Sequence, residues 1–279
     1  MAEAERYVIG EVEVERIIEV IFNKRGIDFS GYSRASFSRR IQRITDRDSN
    51  GDFEIIVQRV SEDKLYFDQF LKEVTVNVTE MFRDPSFFLA IRKKVLPELG
   101  HHHKIRLWHA ACSTGEEVYS MATLLHESNL LERSVIYGTD LNSDVLKKAK
   151  NGVYSAKNIR EYTTNYQRSG GSGNFSDYYQ AAYGNAVFKE FFRKNMVFSE
   201  HNLVTDGSFN EFNLIMCRNV LIYFQKPLQS RVIRIFKESL APGGFLCLGS
   251  KESLMFADDH DAFEEVDATQ KIYRKKLVV

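Results

Sequence analysis

The first 75 or so residues carry apolar side chains at the three- and four-residue spacing of amphipathic helices. No stretch in this part alternates apolar and polar residues as a half-buried strand would. Gly26 follows the first apolar stretch and predicts where that helix ends. We therefore predict an all-helical N-terminal domain over residues 1–75. Its helices are expected in VERIIEVIFNKRG (14–26), YSRASFSRRIQRITDR (32–47), DFEIIVQRV (52–60) and DKLYFDQFLKEV (63–74).

The pattern changes at Lys104, after one more predicted helix, FFLAIRKKVLPEL, that follows Pro85. Short apolar runs now alternate with helical stretches, which is typical of strands in a parallel sheet connected by helices. The expected strands are IRLWHA (105–110), SVIYGTD (134–140), MVFSEHN (196–202), FNLIMC (212–217) and GFLCLG (244–249). The intervening helices are expected to begin near Glu116, Asn142 and Pro227.

The last two apolar segments, AFEEVD (262–267) and KIYRKK (271–276), lie too close together for a crossover helix and predict an antiparallel hairpin. The fold class is therefore α/β, with a doubly wound, mostly parallel, Rossmann-like sheet. We divide the chain into the helical domain, a linker at 76–90 and the α/β domain at 91–279. Residues 153–194 depart from the alternation and predict a small inserted subdomain, in which SGGSGN (169–174) is expected to be a flexible linker.

Composition excludes several classes of function. The hydrophobic fraction of 43% and the charged fraction of 27% are ordinary for a globular protein, and no run approaches the roughly 18 to 20 apolar residues of a membrane helix. The N-terminus lacks the basic and then apolar stretch of a secretory signal. Lys plus Arg and Asp plus Glu balance at 38 each, so no overall field attracts nucleic acid. We expect a cytoplasmic protein without membrane insertion.

Thiols and histidines do not indicate a metal site. Cys112, Cys217 and Cys247 are far apart and lack CxxC spacing, so we expect free thiols and neither a disulfide framework nor a zinc site. His101–His103 lie in the turn before the first strand, with no Cys or carboxylate at ligand spacing. We therefore predict no bound metal.

A candidate cofactor turn, AACSTGEE (110–117), follows the first strand. Its small residues allow the backbone to approach a ligand, and Thr114 could cap the next helix, although ordinary strand-to-helix turns look similar and the GxGxxG fingerprint is absent. Asp140 ends the next strand, at the position where an acidic side chain binds ribose hydroxyls in doubly wound folds. Asp140 could instead, or in addition, cap the helix that starts near Asn142.

Polar side chains also follow the fourth strand directly, in RNVLIYF (218–224), and ligands of doubly wound folds bind at this edge of the sheet.

Five segments of the chain, taken in order, resemble the CheR family of chemotaxis receptor methyltransferases. They are NVTEMFRD (77–84), AACSTGEEVYSMA (110–122), GTDLNSDVLKKAKNGVY (138–154), HNL (201–203) and CRNVLIYF (217–224).

The resemblance covers nearly the whole chain, and the NxTxxFR and STGEE segments are its most specific parts. It implies a class I methyltransferase that uses S-adenosylmethionine (SAM) and releases S-adenosylhomocysteine (SAH). The implied activity is that of a protein-glutamate O-methyltransferase, which methylates glutamate side chains on methyl-accepting chemotaxis receptors for sensory adaptation. The alternative is a SAM- or SAH-binding signalling or scaffold protein with weak catalysis.

The resemblance also implies roles for individual residues. Arg83 and Tyr223 would act at the transferring methyl group, Arg83 by orienting and Tyr223 through its ring beside the sulfonium. Asp140 would bind the ribose, with Asn202 and Leu203 flanking the adenine. The remaining cofactor-binding residues would be Asn77, Thr79, Arg83, Glu117, Cys217 and Arg218.

A glutamate side chain needs no general base, because its reference pKa is near 4.3 and it is already ionised at neutral pH. Catalysis would depend on alignment of oxygen, methyl carbon and sulfur.

Substrate recognition is expected to use another surface. Arg39, Arg43 and Arg47 recur every four residues in the second predicted helix, with Arg34 and Arg40 nearby, and this basic face could meet acidic receptor helices. It could equally be an ordinary solvated helix face. The expected partners are the cytoplasmic methylation helices of chemoreceptors, and the protein is expected to be a monomer. Whether the inserted subdomain grips a receptor tether stays open.

Overall fold

The computed structural model describes residues 8–75 and 78–277. The chain forms two compact units. The first comprises the described part of Met1–Asn77 together with Tyr223–Gln229, and the second comprises Val78–Ile222 and Ser230–Val279. The sequence-based division had placed Tyr223–Gln229 in the α/β domain.

The first unit is a bundle of four helices, in agreement with the periodic apolar pattern. The helices are α1 (Glu11–Arg25), α2 (Arg34–Ser49), α3 (Phe53–Glu62) and α4 (Lys64–Val74). Gly26 ends α1 in the left-handed conformation (φ 70°), as a glycine after an apolar stretch predicts. Asp52 and Asp63 cap α3 and α4 by accepting backbone N–H bonds.

Tyr223–Gln229 belongs to this unit through backbone hydrogen bonds to the turn between α1 and α2. Ser33 N–H donates to the carbonyl of Tyr223 at 2.8 Å, and Gln225 N–H donates to the carbonyl of Gly31 at 2.8 Å. Phe224 packs edge-on against Tyr32, with ring centroids 5.0 Å apart. Main-chain bonds and aromatic packing thus fix this segment in the first unit, although in sequence it follows the predicted strand FNLIMC of the α/β domain.

The second unit contains a seven-stranded sheet with the order β6-β2-β1-β7-β8-β10-β9. The five strands from β6 to β8 pair in parallel, and the last two form an antiparallel hairpin on β8. The strands are β1 (Ile105–Ala110), β2 (Ser134–Asp140), β6 (Met196–Glu200), β7 (Phe212–Cys217), β8 (Leu240–Leu248), β9 (Phe263–Asp267) and β10 (Ile272–Lys275). The predicted fold class is confirmed.

Helices flank this sheet and its edges. One continuous helical segment precedes β1 and contains a π turn; it consists of α5 (Pro85–Ala90), the π turn (Ile91–Val95) and α6 (Leu96–Leu99). The others are α7 (Glu116–Glu127), α8 (Ser143–Asn151), α9 (Ala156–Arg168), α10 (Glu190–Arg193) and α11 (Lys226–Ser239). None of the helices in residues 8–75 and 78–277 has the length and apolar character needed to cross a lipid bilayer.

The largest differences from the expected strand boundaries are the end of β6 and the start of β8. β6 ends at Glu200, two residues early, and β8 begins at Leu240 rather than Gly244. Phe212 pairs with Leu240 and Leu214 with Phe245, so the Ala-Pro-Gly-Gly turn is a bulge inside β8. Pro and Gly therefore marked an irregularity within the strand rather than its start.

The insertion forms a second, three-stranded antiparallel sheet, β3 (Val153–Ser155), β5 (Asn185–Phe188) and β4 (Tyr179–Ala182) in spatial order, together with α9. One carboxylate anchors it. Glu127, at the end of α7, accepts hydrogen bonds from the hydroxyls of Tyr166 and of Tyr178 (2.7 Å) and pairs with Arg92 at 2.5 Å. Because this anchor is mostly buried, it links the insertion, α7 and the π turn with little screening by solvent.

The glycine-rich run is not the flexible linker that its composition predicted. Ser169 is fully buried, and its carbonyl accepts a hydrogen bond from Arg92 Nε at 3.0 Å. A Cβ at Gly171 would lie 2.3 Å from carbon atoms of the Tyr166 ring. The run is a packed turn in which glycine is required by close approach, a use of glycine that composition does not distinguish from flexibility.

Gly171→Ala should lower the free energy of unfolding by about 1–3 kcal/mol, because the new methyl group overlaps the Tyr166 ring. Urea unfolding followed by circular dichroism measures this change. Gly207→Ala is the matched control, since a Cβ there meets nothing within 4 Å. Equal stabilities for the two variants would restore the linker interpretation.

Candidate cofactor site at the carboxyl ends of the parallel strands

The turn between β1 and α7 has an unusual backbone. Ala111 (φ 57°), Ser113 (φ 52°) and Gly115 (φ 89°) all adopt left-handed conformations, two of them without the freedom of glycine. A Cβ at Gly115 would lie 2.8 Å from the Cβ of Ala149, so this turn packs closely against α8. Strained backbone of this kind is concentrated at ligand sites, which supports the cofactor-turn interpretation.

Thr114 does not cap α7 as predicted. The N-cap residue is Gly115, and the Thr114 hydroxyl donates instead to Glu116 Oε2 at 2.6 Å. Glu116 is the first glutamate of STGEE, and burial raises its pKa to about 7.

Asp140 ends β2 and is only 6% exposed. Its Oδ2 accepts the Ser113 N–H at 2.9 Å, and its Oδ1 accepts the Asn142 N–H at 3.0 Å. Burial raises the pKa of this carboxyl, and the backbone N–H bonds partly oppose that effect. Each oxygen keeps a further lone pair, so the carboxylate can still accept ligand hydroxyls.

The alternative that Asp140 caps α8 is wrong. The N-cap is Asn142, whose Oδ1 accepts the Asp144 N–H at 2.9 Å. Asp140 instead ties the ends of β1 and β2 together through Ser113 and Asn142.

Two polar atoms beside Asp140 fit a polar ligand. Ser113 Oγ and Asn142 Nδ2 are buried, and neither finds a hydrogen-bond partner within the described part of the chain. A buried polar group without a partner costs roughly 1–3 kcal/mol. A hydroxyl-bearing ligand bound to Asp140 would relieve that cost, because a hydroxyl oxygen can accept from Asn142 Nδ2 and a hydroxyl can pair with Ser113 Oγ. Both residues lie inside the quoted motifs, but neither was singled out from the sequence.

Glu117 and Arg218, both predicted cofactor ligands, contact each other. Arg218 Nη1 lies 3.2 Å from Glu117 Oε2, and Arg218 Nη2 lies 2.7 Å from Asp84 Oδ2. His109 Nδ1 lies 2.9 Å from the other oxygen of Glu117. The Arg218 guanidinium also stacks 3.9 Å from the centroid of the Phe87 ring. Asp84 and His109 are members of this network that the motifs did not single out.

The network sets the charge state of Glu117. Burial alone would raise the pKa of this carboxyl, but the hydrogen bond with His109 and the charge of Arg218 together lower it below its usual 4.5. Glu117 is therefore ionised at neutral pH and its charge is already compensated within the protein.

The NVTEMFRD segment lies beside the same network. The half-buried Arg83 donates to the carbonyl of Val78 at 3.3 Å, and its own carbonyl accepts from Arg218 Nη1 at 3.4 Å. Thr79 is half-buried. Asn77 lies outside the described residues.

The HNL segment follows β6 and contacts the end of β2. His201 N–H donates to the carbonyl of Asp140 at 3.2 Å. Asn202 closes a turn by donating its N–H to Asp206 and accepting the Val204 N–H, both at 2.9 Å. Leu203 is buried, and Cys217 at the end of β7 is fully buried, so a contact from Cys217 to a ligand would have to use its backbone.

Tyr223 belongs to the first unit, where the guanidinium of Arg40 lies 4.6 Å from the centroid of its ring. Arg40 also donates to the carbonyl of Val74 at 2.5 Å. The expectation that Arg40 shares the exposed basic face of α2 is therefore wrong. Its contacts with the Tyr223 ring, the Val74 carbonyl and the Ser36 hydroxyl turn it inward.

Arg39, Arg43 and Arg47 do form an exposed line along α2. Arg47 pairs with Asp48 and Glu73, and Arg43 approaches Glu73 at 3.8 Å. Arg39 makes no ion pair with any described residue. Arg34, which was expected nearby, pairs with Glu15 at 2.7 Å and is largely satisfied. We call the three exposed arginines the α2 arginine line.

The described residues contain no group of three or more His, Cys, Asp or Glu side chains placed to hold a metal ion. All three cysteines are free and buried. His101–His103 lie exposed in the turn before β1.

A doubly wound sheet with a strained turn after β1 and a buried acid at the end of β2 defines a nucleoside-cofactor protein of the Rossmann-like class. Residues 77–272 match the model for the CheR methyltransferase, SAM binding domain, and residues 13–75 match the CheR methyltransferase, all-alpha domain. The chain belongs to the CheR family of methyltransferases, and its cofactor is SAM.

Individual relatives agree with this assignment. Cher3 of Pseudomonas putida is 48% identical over 265 residues, which is 95% of this chain and 97% of Cher3. The chemotaxis protein methyltransferase of Listeria monocytogenes is 32% identical over 243 residues, 86% of this chain and 90% of the relative.

Among solved structures, the chain has a distant likeness to a SAM-bound amino pentose methyltransferase from Micromonospora echinaspora. The two are 14% identical, with 66% of this chain and 55% of that one covered and a TM-score of 0.36.

Glu117→Gln should lower the free energy of unfolding by about 3 kcal/mol, because Arg218 loses one of two partners in a buried setting. Lys147→Ala is the control, since the exposed Lys147–Asp144 pair is worth less than about 1 kcal/mol. Chemical unfolding of both variants at pH 7 measures the difference.

The stability difference between wild type and Glu117→Gln should also depend on pH. The folded-state pKa of Glu117 lies below the usual 4.5, so its contribution to stability is present above that pH and is lost as the pH falls through the lowered value. The gap between the two proteins should therefore narrow below pH 4.5. A gap that stays constant down to pH 3 would contradict the assigned charge state.

Proposed function

We propose that this protein transfers the methyl group of SAM to glutamate side chains of methyl-accepting chemotaxis receptors, giving glutamate methyl esters and SAH for sensory adaptation. Both CheR domains match the chain, and relatives are named chemotaxis protein methyltransferases. The structural observation that carries the substrate assignment is the α2 arginine line, an exposed basic row on the all-alpha domain of a SAM-dependent enzyme.

Each part of the chain would have its own role. Residues 1–75 would recognise the receptor, residues 76–90 would link the domains and contribute to the cofactor pocket, and residues 91–279 would carry out the methyl transfer. The partners would be the cytoplasmic methylation helices of receptors, met by a monomer of the enzyme in the cytoplasm.

The cofactor would be held mainly at the end of β2. Asp140 would accept the ribose hydroxyls, and the unpaired Ser113 Oγ and Asn142 Nδ2 would complete the polar contacts. The other proposed cofactor contacts follow the family motifs. They are Asn77, Thr79, Arg83, Glu117, Asn202, Leu203, Cys217 and Arg218.

The internal pairing of Glu117 and Arg218 limits what they can do for the cofactor. Their charges already compensate each other, so we expect them to orient the methionine end by hydrogen bonds through remaining lone pairs and N–H groups. Arg218 Nε, which is buried and unpaired in the described residues, is one such free donor.

SAM supplies an electrophilic methyl group on a sulfonium. The receptor glutamate is already a carboxylate at neutral pH, so the protein would need to align it and exclude water rather than remove a proton. Alignment of this kind can supply on the order of 7–11 kcal/mol of the barrier. As the family motifs imply, Arg83 would orient the reacting groups, and Tyr223 would act through its ring beside the sulfonium.

The alternative is a protein that binds SAM or SAH for signalling with weak catalysis. Turnover distinguishes the two, because a scaffold would bind SAH with normal affinity and give no receptor ester.

Asp140→Asn should weaken SAH binding at least tenfold, because the neutral side chain replaces a charge-assisted acceptor worth about 1.5–3 kcal/mol per hydrogen bond. Isothermal titration with SAH measures the dissociation constant. Glu200→Gln is the matched control, since Glu200 is the register partner of Asp140 at the end of the neighbouring strand and is exposed. Unchanged affinity in Asp140→Asn would remove Asp140 from the cofactor site.

Replacing Arg39 and Arg43 together by glutamate should raise KM for the receptor at least tenfold and leave SAH affinity within twofold. The reversed charges would repel acidic helices, and the effect should shrink at high salt because the row is exposed. Initial rates with tritiated SAM and a soluble cytoplasmic receptor fragment measure KM.

Lys64→Glu, another exposed charge reversal on the same unit, is the control. A KM that rises equally in this control would show that net charge alone is responsible, and the α2 arginine line would lose its assigned role.

A further inference from the structure

Glu252 is a buried carboxylate that no motif assignment uses. It lies in the loop after β8 and is 4% exposed. Its Oε1 accepts the N–H of Val220 at 2.8 Å and of Ile222 at 3.4 Å. Its Oε2 accepts the N–H of Asn219 at 3.0 Å and of Gly249 at 2.5 Å.

These four bonds are all to backbone. No Lys, Arg or His in residues 8–75 and 78–277 forms an ion pair with Glu252, so N–H dipoles alone compensate its charge. A carboxylate that accepts several N–H groups fixes the backbone that donates them, much as an anion fixes a nest of amides. Glu252 thereby determines the conformation of the chain that immediately follows β7.

Local geometry around Glu252 leaves little room for another arrangement. Asn219 adopts a left-handed conformation (φ 62°), which directs successive N–H groups toward the same side. A Cβ at Gly249 would lie 2.7 Å from Glu252 Oε2 and 2.8 Å from the backbone nitrogen of Asn219. Glycine at 249 is thus what allows the two loops to meet.

The backbone segment held by Glu252, residues 219–222, directly follows a residue of the candidate site. Arg218, directly before Asn219, pairs with Glu117 and Asp84, and its side chain is 2% exposed. The bonds to Glu252 therefore fix the backbone immediately C-terminal to Arg218 and limit how far this arginine can shift.

Ionisation of Glu252 is costly for the fold. Burial raises the pKa of this carboxyl above its usual 4.5, only partly offset by the backbone N–H bonds. With a raised folded-state pKa, its contribution to stability is fully present below the usual value and is lost as the pH rises through the raised one.

We propose that Glu252 is a positioning residue for methyl transfer, which holds the Arg218–Ile222 backbone in the conformation that the reaction requires. This inference rests on the methyltransferase activity stated under the proposed function. Glu252 itself touches neither the cofactor nor the substrate glutamate in this assignment. Its effect passes through the four backbone N–H groups.

The test compares Glu252→Gln with wild type in the full-length protein. A glutamine keeps the size of the side chain but places an NH2 group against backbone donors. We expect kcat to fall tenfold to a hundredfold, as roughly 1 Å of misplacement can do. KM for SAM and the dissociation constant for SAH should stay within threefold. Hydrogen exchange should be faster in the peptide that spans residues 218–224.

Glu127→Gln is the matched control, because it also neutralises a buried carboxylate of the second unit but one that anchors the insertion. It should speed exchange around residues 166–178 and leave kcat within threefold. Gly249→Ala is the second variant, which disturbs the same contact without removing the carboxylate. It should reproduce the loss in kcat, and it decides the question if Glu252→Gln does not fold.

A loss of kcat in Glu252→Gln no larger than in Glu127→Gln, or one matched by an equal loss of SAH affinity, would overturn the positioning role. So would unchanged exchange in residues 218–224. Failure of the proposed function is seen separately, because wild type itself would then leave a soluble cytoplasmic receptor fragment unmethylated in the tritiated-SAM assay.

Discussion

Five parallel strands leave their carboxyl ends at one edge of the sheet, and the rest of the second unit depends on that constraint. The chain turns there three times with strained or tightly bonded backbone, after β1, β2 and β7. Asp140 and Glu252 serve the same structural purpose at two of these places, since each uses both carboxylate oxygens to hold backbone N–H groups from separate loops. At these two places a buried carboxyl group is paired with main-chain N–H groups.

Much of this architecture was predictable because hydrophobic runs and their spacing are local properties. The strands IRLWHA and SVIYGTD appear at β1 and β2 with the predicted bounds, and the four N-terminal helices follow their apolar faces. The position of Asp140 at the end of β2 was predictable because a strand end is visible in the sequence, and its role in ribose binding stays a prediction. The roles assigned to Arg83, Tyr223 and the other motif residues stay predictions.

The features that the sequence did not predict depend on contacts between residues far apart in the chain, and the spacing of apolar residues does not encode such contacts. Glu252 lies 30 to 33 residues from Asn219, Val220 and Ile222, whose backbone N–H groups it holds, and GSKESL offers no motif. Arg40 and Arg39 are neighbours in sequence, yet helix phase turns Arg40 toward Tyr223 and leaves Arg39 exposed. SGGSGN has the composition of a linker, and only the Tyr166 ring against Gly171 shows that it is a packed turn.

The insertion is attached to the α/β core by the Glu127 anchor, by the bond from Arg92 to the Ser169 carbonyl and by the packing of Tyr166 against Phe82. Two hydroxyls and one guanidinium converge on a single carboxylate, whereas the outer strand β4 carries mostly exposed or half-buried side chains. Exposed residues of β4 can therefore be exchanged without altering the α/β core, provided that the buried aromatic residues of the insertion are kept. For protein engineering, this is a natural place to graft a new recognition specificity onto an unchanged catalytic domain.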